Sequence, residues 1–262
     1  METETASILR ITEQGRNEGK DTVVAESYLT IVLDSQELVT LLCSPTKLDY
    51  LAVGFLASEG FIKSKDEIEK IIIDDERGIA QVTTRGAVDH AAHISSGRFI
   101  ASSGGKGFRS YHTLDVSGRA EIKSYLQVRA PEVFALMEEF GQRSKVFQAT
   151  GGVHSAALCD ITNILIFSED IGRHNAVDKI FGECILKDIS TDDRIILTSG
   201  RVSSEILLKV ARRNIPILLS KSAPTNLAIK LAADLGMTLI GFARGRRMNV
   251  YSVAWRIVPD EK

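Results

Sequence analysis

Four short polar segments carry most of the residues in this chain that could hold an anion. They are Ser168-Glu169-Asp170-Ile171-Gly172-Arg173-His174-Asn175, Thr198-Ser199-Gly200-Arg201, Ser220-Lys221-Ser222-Ala223-Pro224-Thr225 and Ala243-Arg244-Gly245-Arg246-Arg247. Arginine occurs in three of the four, and its planar guanidinium presents paired donors that match phosphate oxygens. The serines, threonines and glycines suit helix capping as well as close approach of backbone N–H groups to a ligand. One such segment is ordinary capping; four at the same kind of junction point to a phosphate-bearing ligand. His154, after Gly151-Gly152, reads as a structural histidine, and His174 stands open between a structural and a ligand-facing role. Cys159 and Cys184 are expected to be buried and inert; Cys43 ends a strand before Ser44-Pro45, where burial is again the default. Lys106, in Ser102-Ser103-Gly104-Gly105-Lys106-Gly107, invites a phosphate-loop reading that fails, because Ile100 stands where glycine is needed and Gly107 where Ser or Thr is.

The elements that must position these residues follow from the apolar pattern. Residues 1–20 are polar and read as a flexible arm. A β-rich region of residues 21–117 follows, with strands over Val23 to Asp34 and Glu37 to Cys43, a helix from Lys47 to Ser58 closed by Gly60, and a hairpin of Ile68 to Asp74 with Ala80 to Thr84. Periodicity fails from Gly86 to about Ser117, a length of loop that is usually functional or disordered. Residues 118–262 alternate regularly. A helix from Pro131 to Phe140 places Val133, Phe134, Met137 and Phe140 on one face. Strands at Val153 to Cys159 and Ile164 to Phe167 come next, then helix Ala176 to Lys187, strand Arg194 to Thr198, helix Ser204 to Arg213 and strand Ile215 to Leu219. Helix Asn226 to Leu235 and strand Thr238 to Phe242 follow, with a further strand near Val250 and Tyr251. The order αββαβαβαβ predicts a three-layer αβα sandwich, joined to the smaller β-rich N-terminal domain. In such a sheet the four polar segments all fall past strand C-terminal ends, where ligands bind.

Composition bounds the function. The chain has 262 residues, 44% of them apolar, and a net charge of −2, which excludes nucleic-acid binding driven by bulk charge. No apolar run reaches bilayer-spanning length, the N-terminus lacks a secretory core, and three scattered cysteines imply a reducing, cytoplasmic setting. The element order is that of cytidine-deaminase-like folds, yet zinc deamination is excluded. That chemistry needs His-x-Glu at one helix start and Pro-Cys-x-x-Cys at the next, whereas these starts read Arg173-His174-Asn175-Ala176 and Ser199-Gly200-Arg201-Val202-Ser203-Ser204-Glu205.

Longer stretches are recognisable: Leu51-Ala52-Val53-Gly54-Phe55-Leu56-Ala57-Ser58-Glu59-Gly60-Phe61-Ile62, Gly151-Gly152-Val153-His154-Ser155-Ala156-Ala157-Leu158, Glu169-Asp170-Ile171-Gly172-Arg173-His174-Asn175-Ala176-Val177-Asp178-Lys179 and Gly241-Phe242-Ala243-Arg244-Gly245-Arg246 leading to Asn249-Val250-Tyr251. With Ser199-Gly200-Arg201 and Ser222-Ala223-Pro224-Thr225, they resemble the formate dehydrogenase accessory protein family, FdhD, over roughly residues 24–251. The resemblance implies a cytoplasmic carrier that takes sulfur from a cysteine desulfurase and passes it to bis-molybdopterin guanine dinucleotide before that cofactor enters formate dehydrogenase. It implies a homodimer, with no nucleic acid, membrane or zinc involved. By matched position Phe242, Ala243, Arg244, Gly245, Arg246 and Arg247 contact the cofactor, and Asp170, Arg173, His174, Ser199, Arg201 and Thr225 are expected to line the same pocket.

The chain departs from the family at the sulfur carrier itself. The family's Cys-x-x-Cys falls here on Gly104 and Gly107, and glycine cannot form a persulfide, which needs a thiolate. Either Cys43 substitutes or the protein binds the cofactor as a chaperone without sulfur transfer. A nucleotide-binding protein recruited to another task is the third possibility.

Overall fold

A computed structural model describes residues 2–86 and 121–258. The glycine-rich loop with Gly104, Lys106 and Gly107 lies outside the described residues.

The first twenty residues, expected as an arm, instead form most of a hairpin of β1 (Thr3–Thr12) and β2 (Gly15–Val24), paired antiparallel throughout. A backbone ladder needs no apolar face, so the polar composition concealed it. A four-stranded sheet follows in the order β4-β3-β6-β5, from β3 (Ser27–Leu33), β4 (Gln36–Cys43), β5 (Ile68–Asp74) and β6 (Ile79–Thr84). The β3–β4 turn forms at Asp34-Ser35 as its residue types suggest, both with positive φ (47° and 70°). The helix α1 (Leu48–Glu59), closed by Gly60 at φ 88°, packs Leu51 and Leu56 against Leu29, Ile31 and Val82 of this sheet.

The second sheet has six strands. After β7 (Val128–Arg129) come α2 (Ala130–Arg143), α3 (Lys145–Thr150), β8 (His154–Cys159), β9 (Ile164–Asp170), α4 (Arg173–Leu186), β10 (Ile195–Thr198), α5 (Ser204–Ala211), β11 (Ile217–Ser220), α6 (Asn226–Asp234), β12 (Thr238–Arg244) and β13 (Arg247–Ser252). A last strand, β14 (Ile257–Val258), runs parallel to β7. The sheet order is β13-β12-β11-β10-β8-β9, with β10, β11 and β12 parallel and the other pairings antiparallel. The fold is therefore mixed α/β. One face of this sheet, with Leu158, Ile196, Leu218 and Leu239, is covered by α4, α5 and α6. The other, with Ala157, Leu197, Leu219 and Ile240, receives Val133, Leu136, Met137 and Phe140 of α2. Phe134, expected on that buried face, is only half-buried.

Helix α4 joins the two halves, buried along nearly its whole length between the six-stranded sheet and α1. Glycines allow the approach: a Cβ at Gly54 would lie 1.8 Å from the Asp178 carbonyl oxygen, and one at Gly182 1.9 Å from that of Tyr50. Its charged residues are paired inside the protein, Lys179 with Asp170 and Asp178 with Lys209, each at 2.6 Å. No helix among the described residues is long and apolar enough to cross a bilayer.

Candidate functional site

Strands β10, β11 and β12 end at one edge of the six-stranded sheet. The antiparallel registers Thr198 to Ala156 and His154 to Asp170 bring the start of β8 and the end of β9 to that same edge. All four polar segments therefore gather on one rim, as their positions in sequence imply. They do not form one pocket.

At one end of the rim a cleft of about 930 Å³ lies between α2 and the β12–β13 turn. Its α2 wall presents Pro131, Phe134, Ala135 and Met137, with Glu138 as its carboxylate; the facing wall carries Lys221, Ala243, Arg244, Gly245 and Arg246. The backbone of this wall is bent. Register slips between Gly241 and Arg244, Phe242 adopts φ 52°, and its N–H donates to the Ser222 carbonyl at 3.1 Å. Gly245 turns the chain at φ 56°, a conformation suited to glycine. Arg244 Nε donates to the Lys221 carbonyl at 2.9 Å. Burial and the neighbouring Arg244 guanidinium hold the Lys221 ammonium below the usual lysine range. Among the described residues Lys221, Arg244 and Arg246 have no ion-pair partner, so the cleft carries clustered positive charge set against the single carboxylate of Glu138. Phe242 and the exposed Arg247 flank it without lining it.

A second recess of about 270 Å³ surrounds the first turn of α4 and is lined by Glu26, Leu42, His154, Ile171, Gly172, Arg173 and Asn175. Arg173, expected in the first pocket, lies here. Ser199 adjoins it: its Oγ accepts from the Ser155 N–H at 2.9 Å and lies 3.3 Å from His154 Nδ1. Arg201 is exposed but close enough to Arg173 to lower its pKa, after burial. Burial, followed by Arg173, also depresses His154.

Three expected site residues are committed to holding the fold, two of them in the interior. Asp170 is fully buried, pairs with Lys179, and accepts from the Ser44 N–H at 3.1 Å and the Gly172 N–H at 2.8 Å. It clasps the β4–α1 connection to the β9–α4 turn. His174 falls inside α4, which begins three residues earlier than periodicity suggests. It is 4% exposed, and burial, then Lys209, push it down to about 3. It is neutral at pH 7, so its 3.6 Å approach to Glu205 is not an ion pair. Thr225 caps α6, its hydroxyl accepting from the Ala228 N–H at 3.3 Å.

The FdhD/NarQ family model matches residues 24–258. The chain belongs to the FdhD/NarQ family. It is 43% identical over 237 residues to the sulfur carrier protein FdhD of Bacillus pumilus, covering 90% of each chain. Against the protein of that name from Bacillus subtilis it is 43% identical over 246 residues, 94% of each. A crystal structure of a protein from Desulfotalea psychrophila, described as a formate dehydrogenase accessory protein, superposes with a TM-score of 0.79 at 26% identity, over 98% of this chain and 99% of that one.

The relatives are named for carrying sulfur, and the structure bears on that chemistry here. The chain has three cysteines, all free and buried. Burial, then Asp170, pushes Cys43 up to about 12; burial likewise raises Cys184 to about 12, and raises Cys159. None supplies an accessible thiolate at neutral pH, and the expected substitute, Cys43, is the least exposed kind of thiol.

Sequence reasoning missed the α2 wall of the cleft. Phe134 and Glu138 sit in a helix whose periodicity reads as ordinary packing. The available signal was that α2 carries more large apolar residues than one buried stripe requires.

Proposed function

We propose that this FdhD/NarQ member binds bis-molybdopterin guanine dinucleotide as cargo and hands it on for formate dehydrogenase maturation, acting as a chaperone without a persulfide of its own. The observation that carries this is the two-sided chemistry of the 930 Å³ cleft. Lys221, Arg244 and Arg246 suit a pyrophosphate, while the α2 wall offers apolar surface to a base and one carboxylate. Guanine exposes two adjacent donors on one edge, its ring N–H and its amino group, and Glu138 is an acceptor for both; adenine lacks that pair. The volume suits one nucleotide-sized half of the cargo. Within this proposal the cysteine desulfurase acts without a thiol relay on this chain, formate dehydrogenase is the receiving partner, and the protein works in the cytoplasm as a homodimer. The six-stranded half supplies the cytidine-deaminase-like layering that presents the cleft.

The test is calorimetric titration of the full chain with GDP and ADP. GDP is expected to bind more tightly, and Glu138→Gln to narrow the gap. A charge-assisted hydrogen bond contributes about 1.5–3 kcal/mol, so R244A and R246A are each expected to weaken GDP by about tenfold or more. Unchanged GDP affinity in both arginine variants would refute the cleft as the binding site. Intact-mass spectrometry after incubation with a cysteine desulfurase and cysteine is expected to show no sulfur adduct; a persulfide would restore sulfur transfer and remove the chaperone reading.

A further inference from the structure

The recess at the first turn of α4 is separate from the cleft. In the sheet order, β12 and β8 are three strand spacings apart, about 14 Å at ordinary spacing. Gly172 starts α4 and brings no side-chain cap, so the positive end of a fourteen-residue helix meets the recess directly.

Asn175 supplies an independent observation. It lines the recess and is 1% exposed. Its Nδ2 donates to the Leu42 carbonyl at 2.8 Å and to Asp170 Oδ1 at 2.9 Å. Neither a carbonyl nor a carboxylate paired with lysine can donate in return, so the amide orientation is settled. That leaves Asn175 Oδ1 as a buried acceptor with no partner among the described residues. A buried acceptor in that state favours any guest that brings a donor. The Arg173 Nε is likewise buried and unpartnered. Gly200 packs behind two of the lining residues, since a Cβ there would lie 2.9 Å from Arg173 Cβ and 3.4 Å from His154 Nδ1 and would displace them.

We propose that this recess is a second binding site, distinct from the guanine cleft, for a tetrahedral oxyanion that retains a proton, as hydrogen phosphate does. Its oxygens accept from Arg173 and the start of α4, and its hydroxyl donates to Asn175 Oδ1. Glu26 also lines the recess, and its carboxylate disfavours a fully deprotonated guest. Sulfate has no proton at neutral pH and meets Asn175 Oδ1 lone pair against lone pair. The site does not depend on the guanine reading of the cleft.

The probes are inorganic phosphate, methyl phosphate and sulfate, titrated at pH 7 into the full chain. Phosphate is expected to bind saturably and sulfate at least tenfold more weakly. Arg173→Met and Gly200→Ala are each expected to weaken phosphate at least tenfold, with GDP affinity held within twofold. R244A is expected to do the reverse. Methyl phosphate, with a second ionisation at about 6, is mostly a protonless dianion at pH 7 and is expected to bind as weakly as sulfate; affinity equal to that of inorganic phosphate would overturn the role given to the guest's proton. Equal affinity for sulfate and phosphate, or unchanged phosphate affinity in Arg173→Met with its fold intact by circular dichroism, would overturn the proposal. Failure of GDP to bind the unmodified protein would sink the cleft assignment alone.

Discussion

The contact between α1 and α4 holds the middle of α4 in place, and a single methyl group tests it. An alanine Cβ at Gly54 would lie 1.8 Å from the Asp178 carbonyl oxygen and 2.9 Å from the Gly182 nitrogen; at Gly182 it would lie 1.9 Å from the Tyr50 carbonyl oxygen. Both obstacles are backbone, so no rotamer change relieves them. Restoring ordinary contact near 3.5 Å requires the helices to part by about 1.6 to 1.7 Å. Overpacking of a core costs about 1–3 kcal/mol and sometimes more, and a rigid backbone obstacle belongs at the upper end. Alanine returns about 1 kcal/mol of helix propensity over glycine. The net expectation for Gly54→Ala and Gly182→Ala is a loss of about 2 kcal/mol or more. Gly141, on α2, provides the contrast, because its nearest neighbour is the flexible tip of Lys221 at 3.3 Å. There alanine is expected to stabilise by up to about 1 kcal/mol. Urea denaturation of the three variants, compared by midpoint at constant slope, reads the signs directly. A stabilisation by Gly54→Ala or Gly182→Ala matching that of Gly141→Ala would show that the glycines are not what admits the close approach.

Two further outcomes follow from buried groups. His174 is depressed to about 3 in the folded protein, against about 6.5 unfolded. The unfolded chain therefore binds the extra proton first, and stability is full above pH 6.5 and lost as pH falls, by about 1.4 kcal/mol per unit between pH 6 and 4. His174→Gln is expected to be less steep over that range in urea denaturation; an identical slope would show that His174 titrates normally. Lys209 lies 2.6 Å from the fully buried Asp178, whose other carboxylate oxygen accepts from Ser58 at 2.5 Å. Lys209→Met strands that charge and is expected to cost about 3–5 kcal/mol. Adding Asp178→Asn should recover part of the loss, and a double variant no more stable than Lys209→Met would count against the pairing.

Much of the architecture was legible in the chain. The strands β8 to β12 and their intervening helices follow from apolar runs broken by glycine, asparagine and serine, with ends displaced by a few residues. Helix α4 was harder because it is buried on nearly all sides, which removes the polar face that periodicity detects. Arg173, His174 and Asn175 consequently read as a ligand loop, although His174 lies in the interior. The β1–β2 hairpin escaped notice because backbone pairing, rather than an apolar stripe, organises it.

Residue order sufficed to place the polar segments on a single rim, since every strand that leads into one must finish there. Arginine, serine and glycine announce anion chemistry wherever they stand. Which of them share a cavity depends on strand neighbours far apart in the chain. Insertion of antiparallel β8 between β10 and β9 carries Arg173 away from Arg244, and folding of α2 against β12 adds Phe134 and Glu138 to the cleft. Burial of Cys43 is likewise a long-range outcome: its neighbours in space, Asp170 and Lys179, stand more than a hundred residues away, and only packing brings their charges to bear on its thiol.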